Sequence, residues 1–343
     1  IIVIDSQGDL IHKLKHTKLI DPERLVIVDP VDSVEHPLAL NMFDVGQARL
    51  SKLNPVDYER HINGVVELLN FVFSAVMDSA LTDKQSVVFN FCIRLMLNVP
   101  NATLETFVDV LENGVEKYQT QINHLPTLAQ NFFCSAFPTD TRARNEYKNT
   151  RLEILRRLYF LLENPTISRL FKSTENKLNI SKEMDSGKVI LISTDRSLLK
   201  TQGCAFFGRY FLSLIAQGMQ DRLNKPEHHR RKCYVYVDEC GDYLNTADVN
   251  ITDILEKGRK YNVGMTLAHQ QIQQLPQEVF QSIKTNSALK FIGTCSHSDS
   301  MALRHDMMVD AIKMSRLMFV THTRGSRESF ILKVNVGIIE NSE

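Results

Sequence analysis

Two adjacent carboxylates, Asp238 and Glu239, directly follow an apolar run and are the residues of this sequence best suited to chemistry. Residues 234–237 read Tyr-Val-Tyr-Val, which predicts a buried parallel strand, and ligands of open α/β sheets lie at the carboxyl ends of such strands. In a Walker B motif, Asp238 would hold Mg²⁺ and Glu239 would polarise the water that attacks a γ-phosphate. A strand followed by a solvated acidic turn gives the same pattern, so both interpretations stay open.

Three polar residues further along the chain could complete such a site. Gln270 ends a predicted strand beside the carboxylate strand, where its amide could contact a γ-phosphate or an attacking water; it could also be an ordinary polar strand end. Arg259 and Lys260 follow a predicted helix, and an arginine there could reach the nucleotide of a neighbouring subunit. A basic helix C-terminus favoured by the helix dipole is the commoner explanation of this pair.

Short β-forming runs alternate with helical patterns and would position these groups. The chain opens on Ile-Ile-Val-Ile before Asp5, and we expect residues 25–28 to form a strand next to this first one. Further strands are predicted at residues 189–193, 264–268 and 289–293, and an edge hairpin near 317–321 and 329–334. Helices are predicted at 251–260 and 278–285, and a long amphipathic helix after the strand 189–193 reaches to about residue 222. The alternation predicts an α/β fold whose sheet is mostly parallel, with helices on both faces.

Residues from about 57 to 176 have a different period. Ile62, Val65 and Leu69 recur at helical spacing, and Thr82 or Asp83 can cap a further helix. We therefore expect an all-helical insertion at residues 51–180, between the start of the sheet domain at 1–50 and its remainder at 181–343.

The composition restricts the class of protein. At 343 residues the chain exceeds one comfortable core, and 40 basic against 40 acidic residues give no net charge, so a contact with nucleic acid must rely on local patches. The six cysteines have neither CxxC spacing nor a nearby histidine, which argues against a zinc site or a disulfide framework and favours a reducing cytosol. The most apolar run, residues 204–219, contains Arg209 and is too short to span a bilayer.

Five motifs in this order resemble the HerA/FtsK superfamily, and within it the TraG/TraD-type conjugative coupling ATPases and their HerA-like relatives. The motifs are Asp-Ser-Gly-Lys-Val-Ile-Leu-Ile at 185–192, the Tyr-Val-Tyr-Val-Asp-Glu run, Glu-Lys-Gly-Arg-Lys-Tyr-Asn-Val-Gly at 256–264, Leu-Ala-His-Gln-Gln at 267–271, and residues 282–286. The likeness covers nearly the whole chain, strongly from 185 to 300 and loosely from 40 to 180.

The resemblance implies a RecA-like ATPase core with an all-α insertion, and an ATP-driven and Mg²⁺-dependent motor that moves DNA through a hexameric ring. Asp238 and Glu239 match the Walker B pair of the family, Gln270 its nucleotide-sensing glutamine and Arg259 an interface arginine. Asp5 matches an acid at a strand end near the site, although capping of a turn is its commoner role. Partners implied are a nuclease, a relaxase or a secretion system, in the cytoplasm or at the inner membrane through a preceding anchor.

One departure from the family is large. A P-loop requires Gly-x-x-x-x-Gly-Lys-Ser/Thr, and the 343 residues contain none, because Lys182 and Val189 occupy the first-glycine and hydroxyl positions around Ser-Gly-Lys at 186–188. In the family the P-loop lies just before the strand that begins here at Ile1. We therefore expect the P-loop to precede Ile1, and we expect this chain alone to bind ATP poorly.

A protein of another class is compatible with the same sequence. A catalytically inactive, ATPase-like scaffold would use the helical block to dock a protein partner, and a natural start without a P-loop would favour it. A dinucleotide enzyme is disfavoured because the sequence has no GxGxxG.

Overall fold

The computed structural model describes residues 1–32, 38–44, 53–77, 81–138, 146–244, 256–309 and 317–334. The chain forms two compact units. One consists of Ile1–Ile27, Gly187–Ser193 and Pro226–Glu343 and carries the sheets. The other consists of Val28–Ser186 and Thr194–Lys225 and is helical in its described part.

A five-stranded sheet forms the centre of the first unit. Its strands, in the spatial order β2-β3-β1-β4-β5, are β1 (Ile2–Asp5), β2 (Leu25–Val28), β3 (Val189–Ser193), β4 (Cys233–Val237) and β5 (Val263–Leu267). The pairs β3-β1, β1-β4 and β4-β5 are parallel. Continuous apolar runs form β1 and β3 because both faces of these two strands are buried.

The position of β2 differs from the expectation. The sequence predicted that residues 25–28 would lie beside the first strand, but β3 lies between β2 and β1. The short helix α1 (Asp9–His16) and the 3₁₀ turn Pro22–Arg24 connect β1 to β2, and Ile11 of α1 packs against Val3 and Leu191. The same apolar cluster includes Val189 and Leu191 of β3, so the strand order β2-β3-β1 goes with burial of apolar surface beneath α1.

A second, three-stranded sheet lies in the same unit, and it corrects the assignment of the strand at 289–293. Strand β6 (Leu289–Ile292) pairs antiparallel with β7 (Met318–Thr323), which pairs antiparallel with β8 (Phe330–Lys333). The predicted hairpin at the end of the chain is therefore confirmed, but β6 belongs to it rather than to the parallel sheet. Val320 and Met307 are buried, with the partly buried Ile292 packed against them, and helices α11 (Gln277–Asn286) and α12 (His297–Leu303) flank β6 in the sequence.

The second unit is built from α-helices in its described part, and the helical period found in the sequence from about residue 57 to 176 falls within it. The sequence offered Thr82 or Asp83 as a cap, and Thr82 takes this role through a capping box; Gly114 ends the next helix at φ 87°. Phe73 stacks on Phe89 and Phe107, with ring centroids 4.9 and 5.1 Å apart. The α-helices are α2 (Pro55–Met77), α3 (Asp83–Met96), α4 (Leu104–Asn113), α5 (Gln119–Asn123), α6 (Thr127–Ala136), α7 (Lys148–Leu162), α8 (Pro165–Leu170), α9 (Ile180–Ser186) and α10 (Arg196–Asp221).

Two buried arginines tie the helices of this unit together. Arg209 of α10, which interrupts the apolar run in the sequence, donates to the hydroxyl of Ser74 and to the carbonyl oxygen of Phe71 on α2. Arg222 lies 3.0 Å from the carboxylate of Asp185. Among the helices of the described residues, none has the length and apolar character that a membrane span requires.

Candidate functional site

The carboxyl ends of β1, β4 and β5 meet at one edge of the parallel sheet, where Asp238, Glu239 and Gln270 lie but Arg259 does not. Ile4 is opposite Val237 in the register, and the backbone N–H of Asp238 donates to the carbonyl oxygen of Ile4 at 2.9 Å. Asp5, the last residue of β1, and Asp238, the first residue after β4, therefore lie side by side at the ends of two paired strands. This is the position at which ligands bind to open α/β sheets.

Asp5 is the fully buried last residue of β1, and its carboxylate caps the start of helix α1. Its carboxylate accepts backbone N–H bonds from Gln7 at 2.8 Å, Leu10 at 3.0 Å and Ile11 at 3.3 Å. Gly8, immediately before the helix, has a left-handed φ of 82° that allows the sharp turn. The interpretation of Asp5 as a turn-capping residue is thus confirmed by its contacts.

Asp238 is half-buried next to this acid. Burial raises the pKa of the Asp238 carboxyl above its usual 3.8, and the negative charge of Asp5 raises it further, whereas a bond from the Glu239 N–H to Oδ1 at 3.1 Å opposes the rise. Two neighbouring carboxylates in a poorly solvated position repel each other, and a divalent cation would remove that repulsion. The residues present therefore fit a Mg²⁺ ion.

A cation here would depend on few protein ligands. Within the described residues there is no group of three or more His, Cys, Asp or Glu side chains that could hold a metal ion. Mg²⁺ commonly binds through one or two carboxylates together with water and substrate phosphates. Asp238 with its neighbours suits that kind of shared site and does not suit a closed structural metal site.

Glu239 has an unusual backbone conformation, with φ 47° and ψ 49° in the left-handed region. Non-glycine residues adopt it at a cost and mainly where surrounding contacts enforce it. Here the ladder between β4 and β5 continues beyond both strands, since Ala268 N–H donates to the Val237 carbonyl at 2.9 Å and Cys240 N–H to the Ala268 carbonyl at 2.8 Å. Glu239 lies between these two bonds, which hold its backbone in position at the carboxyl edge of the sheet.

Gln270 lies against this carboxylate. Its side-chain Nε2 donates to Oε1 of Glu239 at 2.6 Å, a short, charge-assisted bond between the loops that follow β4 and β5. The sequence order predicted that Gln270 would lie beside the carboxylate strand, and the structure brings the two side chains together. Their assigned roles toward a nucleotide stay a prediction.

Arg259 is not part of this cluster. It lies in the 3₁₀ turn Gly258–Tyr261, which precedes β5, so about 16 Å of strand separates it from the Gln270 end. Arg259 and Lys260 are both exposed, and the Lys260 carbonyl accepts a bond of 2.7 Å from Arg230. Residues 251–255 of the predicted helix 251–260 lie outside the described residues, and its described end is 3₁₀ rather than α-helical from Gly258 onward.

Sequence reasoning missed two residues of the loops that carry Glu239 and Gln270. Gly241 and Gln274 approach so closely that a Cβ on Gly241 would lie 2.9 Å from the Cβ of Gln274. The sequence contains a weak signal for Gly241, a glycine just beyond an acidic pair, but none for Gln274, because only the folded chain brings the two together.

Comparisons with known proteins agree with this geometry at the level of the fold. No protein-family model matches the chain, and no curated protein sequence matches it either. Solved structures do match. The bacterial conjugative coupling protein TrwBdeltaN70 in an unbound form superposes with a TM-score of 0.60 at 12% identity, over 98% of this chain and 78% of that one.

The chain has the fold of TrwB and VirB4. TrwB in complex with the non-hydrolysable ATP analogue ADPNP gives a TM-score of 0.60 at 14% identity, over 98% of this chain and 78% of that one. VirB4 of Thermoanaerobacter pseudethanolicus gives 0.55 at 13% identity, over 100% of this chain and 91% of that one. The predicted fold class, a RecA-like α/β core with an all-α insertion, is confirmed, as is the predicted likeness to coupling proteins in its fold.

Proposed function

We propose that this chain is the larger part of the motor core of an ATP-driven DNA translocase of the conjugative coupling or secretion type. The observation that carries the proposal is the hydrogen bond between Gln270 and Glu239, beside Asp238, at the carboxyl edge of the parallel sheet. A positioned carboxylate, an amide that can exchange partners and a second carboxylate suited to a cation are what hydrolysis of a phosphoanhydride requires. The fold shared with TrwB and VirB4 supports it.

Each residue has a distinct role in this proposal. Asp238 holds Mg²⁺, Glu239 orients and polarises the attacking water, and Gln270 leaves Glu239 to contact the γ-phosphate. Bound Mg²⁺ supplies charge neutralisation at the phosphates. Arg259 is exposed at the far end of β5, about 16 Å of strand from the described Gln270 end, and would act on the nucleotide of a neighbouring subunit in a hexameric ring.

The phosphate cradle is not supplied by the described residues, and we propose that it comes from sequence encoded before Ile1. Strand β5 is the last strand of the five-stranded sheet in the described part of the chain, so a further parallel strand could pair with it next to Gln270. On one face of β4, the strand next to β5, the side chains of Tyr234 and Tyr236 are 49% and 42% exposed. Parallel sheets are normally covered on both faces, and a P-loop strand with its helix would cover these tyrosines.

The wider assignments belong to the same proposal. The chain divides into the start of the ATPase core at 1–50, the helical insertion at 51–180 and the remainder of the core at 181–343. The motor works in the cytoplasm or at the inner membrane, acts on DNA, and delivers it to or from a nuclease, relaxase or secretion-system partner. With no net charge on the chain, contact with DNA must come from local basic patches.

Hydrolysis of ATP, with and without DNA, tests the proposal on the protein as its gene encodes it, including whatever precedes Ile1. We expect turnover that DNA stimulates and that E239Q lowers by roughly 10²–10⁴-fold, because the amide cannot polarise water as the carboxylate does. The matched control is D242N, which neutralises an acid on the same loop outside the cluster. Turnover that survives E239Q, or equal losses in E239Q and D242N, would overturn the assignment of Glu239.

One observation favours a second candidate, the inactive scaffold. The 343 residues contain no Gly-x-x-x-x-Gly-Lys-Ser/Thr, and an ATPase-like fold that lacks this loop binds phosphates weakly. If the gene-encoded protein neither binds nor hydrolyses ATP, the motor proposal fails. The scaffold then stands, and its partner can be sought with the helical unit as bait.

A further inference from the structure

The loops that carry Glu239 and Gln270 touch at one exceptionally close point besides their hydrogen bonds. A Cβ on Gly241 would lie 2.9 Å from the Cβ of Gln274 and 3.4 Å from both Cδ and Oε1 of the same side chain. Real Cβ atoms essentially never come so close to another carbon, so only glycine allows this approach. Gly241 is not in the left-handed region, so a side chain there would act through this contact rather than through backbone strain.

Neither side of the contact can easily withdraw. The Gln274 side chain accepts a hydrogen bond of 3.2 Å from the backbone N–H of Gln271, and the backbone N–H of Gln274 donates a hydrogen bond of 3.2 Å to the Gln271 carbonyl. The next residue, Leu275, is buried. On the other side, buried Cys240 is fixed by its bond to the Ala268 carbonyl. The contact therefore joins two rigid turns, one two residues after Glu239 and the other four residues after Gln270.

We propose that Gly241 and Gln274 form a joint that sets the separation of Glu239 and Gln270, and that both are positioning residues for hydrolysis. The inference rests on the function proposed above. A Cβ at position 241 would push the second turn away and lengthen the 2.6 Å bond between Gln270 and Glu239. A displacement of about 1 Å removes such a bond and is enough to lower a rate by roughly 10²-fold.

A set of four variants tests the joint, and the exposure of Gln274 makes that position suitable for substitution. G241A introduces the clash. G241A/Q274G removes the opposing Cβ, whereas the matched control G241A/Q274A keeps that Cβ and removes only the amide. Q274A alone shows what loss of the bond to Gln271 does. In the gene-encoded protein we expect G241A to lower kcat by roughly 10²-fold with little change in KM, Q274G to restore kcat, and Q274A to restore nothing.

A second readout does not depend on hydrolysis. In crystal structures of the 343-residue chain we expect the distance between Glu239 Oε1 and Gln270 Nε2 to exceed 3.5 Å in G241A and to return to hydrogen-bonding length in G241A/Q274G. If G241A does not fold, recovery of folding by Q274G but not by Q274A supports the joint, and recovery by neither overturns it.

The outcomes separate this inference from the proposed function. If the wild-type protein does not hydrolyse ATP, the proposed function is wrong, but the distance between Glu239 Oε1 and Gln270 Nε2 in the G241A crystal still tests the joint. Wild-type hydrolysis with unchanged kcat in G241A, or rescue by Q274A as complete as by Q274G, overturns the joint and leaves the function standing.

Discussion

At the scale of single residues, Asp238 and Glu239 are adjacent in the chain but face different environments. Asp238 is half-buried beside the fully buried Asp5, and burial is the main cause of its raised pKa. Glu239 projects from a left-handed backbone turn and accepts a hydrogen bond from Gln270. The two environments differ in the way that the proposed roles require, with Asp238 as the acid that would hold a cation and Glu239 as the acid that would activate water.

Replacement of Asp238 by asparagine should stabilise the protein at neutral pH in the absence of Mg²⁺. A raised pKa means that the folded protein binds the proton more tightly than the unfolded chain, so stability is lost as the pH rises from the ordinary value of 3.8 through the folded pKa, and the loss is complete above the folded pKa. Urea denaturation should therefore give D238N a higher free energy of unfolding than wild type at pH 7. The difference should shrink as the pH falls toward the ordinary value of 3.8.

Mg²⁺ gives the complementary measurement for the same variant. It should raise the melting temperature of wild type and not that of D238N, because only the wild type has the two carboxylates whose repulsion the cation relieves. A D238N protein that is no more stable than wild type at pH 7, or that responds to Mg²⁺ as wild type does, would contradict this account of the site.

At the scale of secondary-structure elements, Asp5 links the end of β1 to the start of α1. Asp5→Ala removes the acceptor of three backbone N–H groups, so the helix start loses its cap. We expect a loss of about 2 kcal/mol in the free energy of unfolding by urea denaturation. Asp5→Asn should lose less, because its carbonyl oxygen still accepts and its neutral side chain no longer repels Asp238. Equal losses in the two variants would show that the N–H bonds of Asp5 do not stabilise α1.

The sequence predicted most elements and failed where long-range packing decides. Unbroken apolar runs marked β1 and β3 because burial on both faces leaves no place for polar residues. In β6, by contrast, Leu289 and Phe291 are exposed while Ile292 packs inward, an alternation typical of an antiparallel strand. The position of this strand in the sequence led us to expect it in the parallel sheet instead. The place of β2 beside β3 could not be predicted, since no local pattern encodes which strands pair.

The candidate site shows the same division. The order of motifs was enough to place Gln270 near the carboxylates, since strand ends in a parallel sheet share one edge. The close approach of Gly241 to Gln274 could not be predicted from the sequence, because it depends on how two turns pack after both strands have paired.

At the scale of the whole molecule, the fold is retained although few residues are shared. TrwB and VirB4 superpose on 98–100% of the chain with 12–14% of residues identical. The likeness therefore lies in the path of the backbone and not in shared residues. The carboxyl edge of the sheet gathers the acids and the amide, while the 343 residues supply no phosphate-binding loop. In the proposed function, affinity for a nucleotide depends on such a loop, because carboxylates at the edge repel phosphates in the absence of Mg²⁺.

A protein of residues 1–343 alone should therefore show almost no stabilisation by ATP and Mg²⁺. When ligand concentration only equals Kd, the gain is about 0.4 kcal/mol, whereas a hundredfold excess over Kd gives about 2.7 kcal/mol. Millimolar ATP should leave the melting temperature of this chain at the value that Mg²⁺ alone gives. The gene-encoded protein should gain stability with ATP, and a Lys→Ala change in any Gly-x-x-x-x-Gly-Lys-Ser/Thr encoded before Ile1 should remove that gain. A saturable, ATP-specific shift in residues 1–343 would place the phosphate-binding groups within this chain and overturn the proposal that they come from upstream sequence.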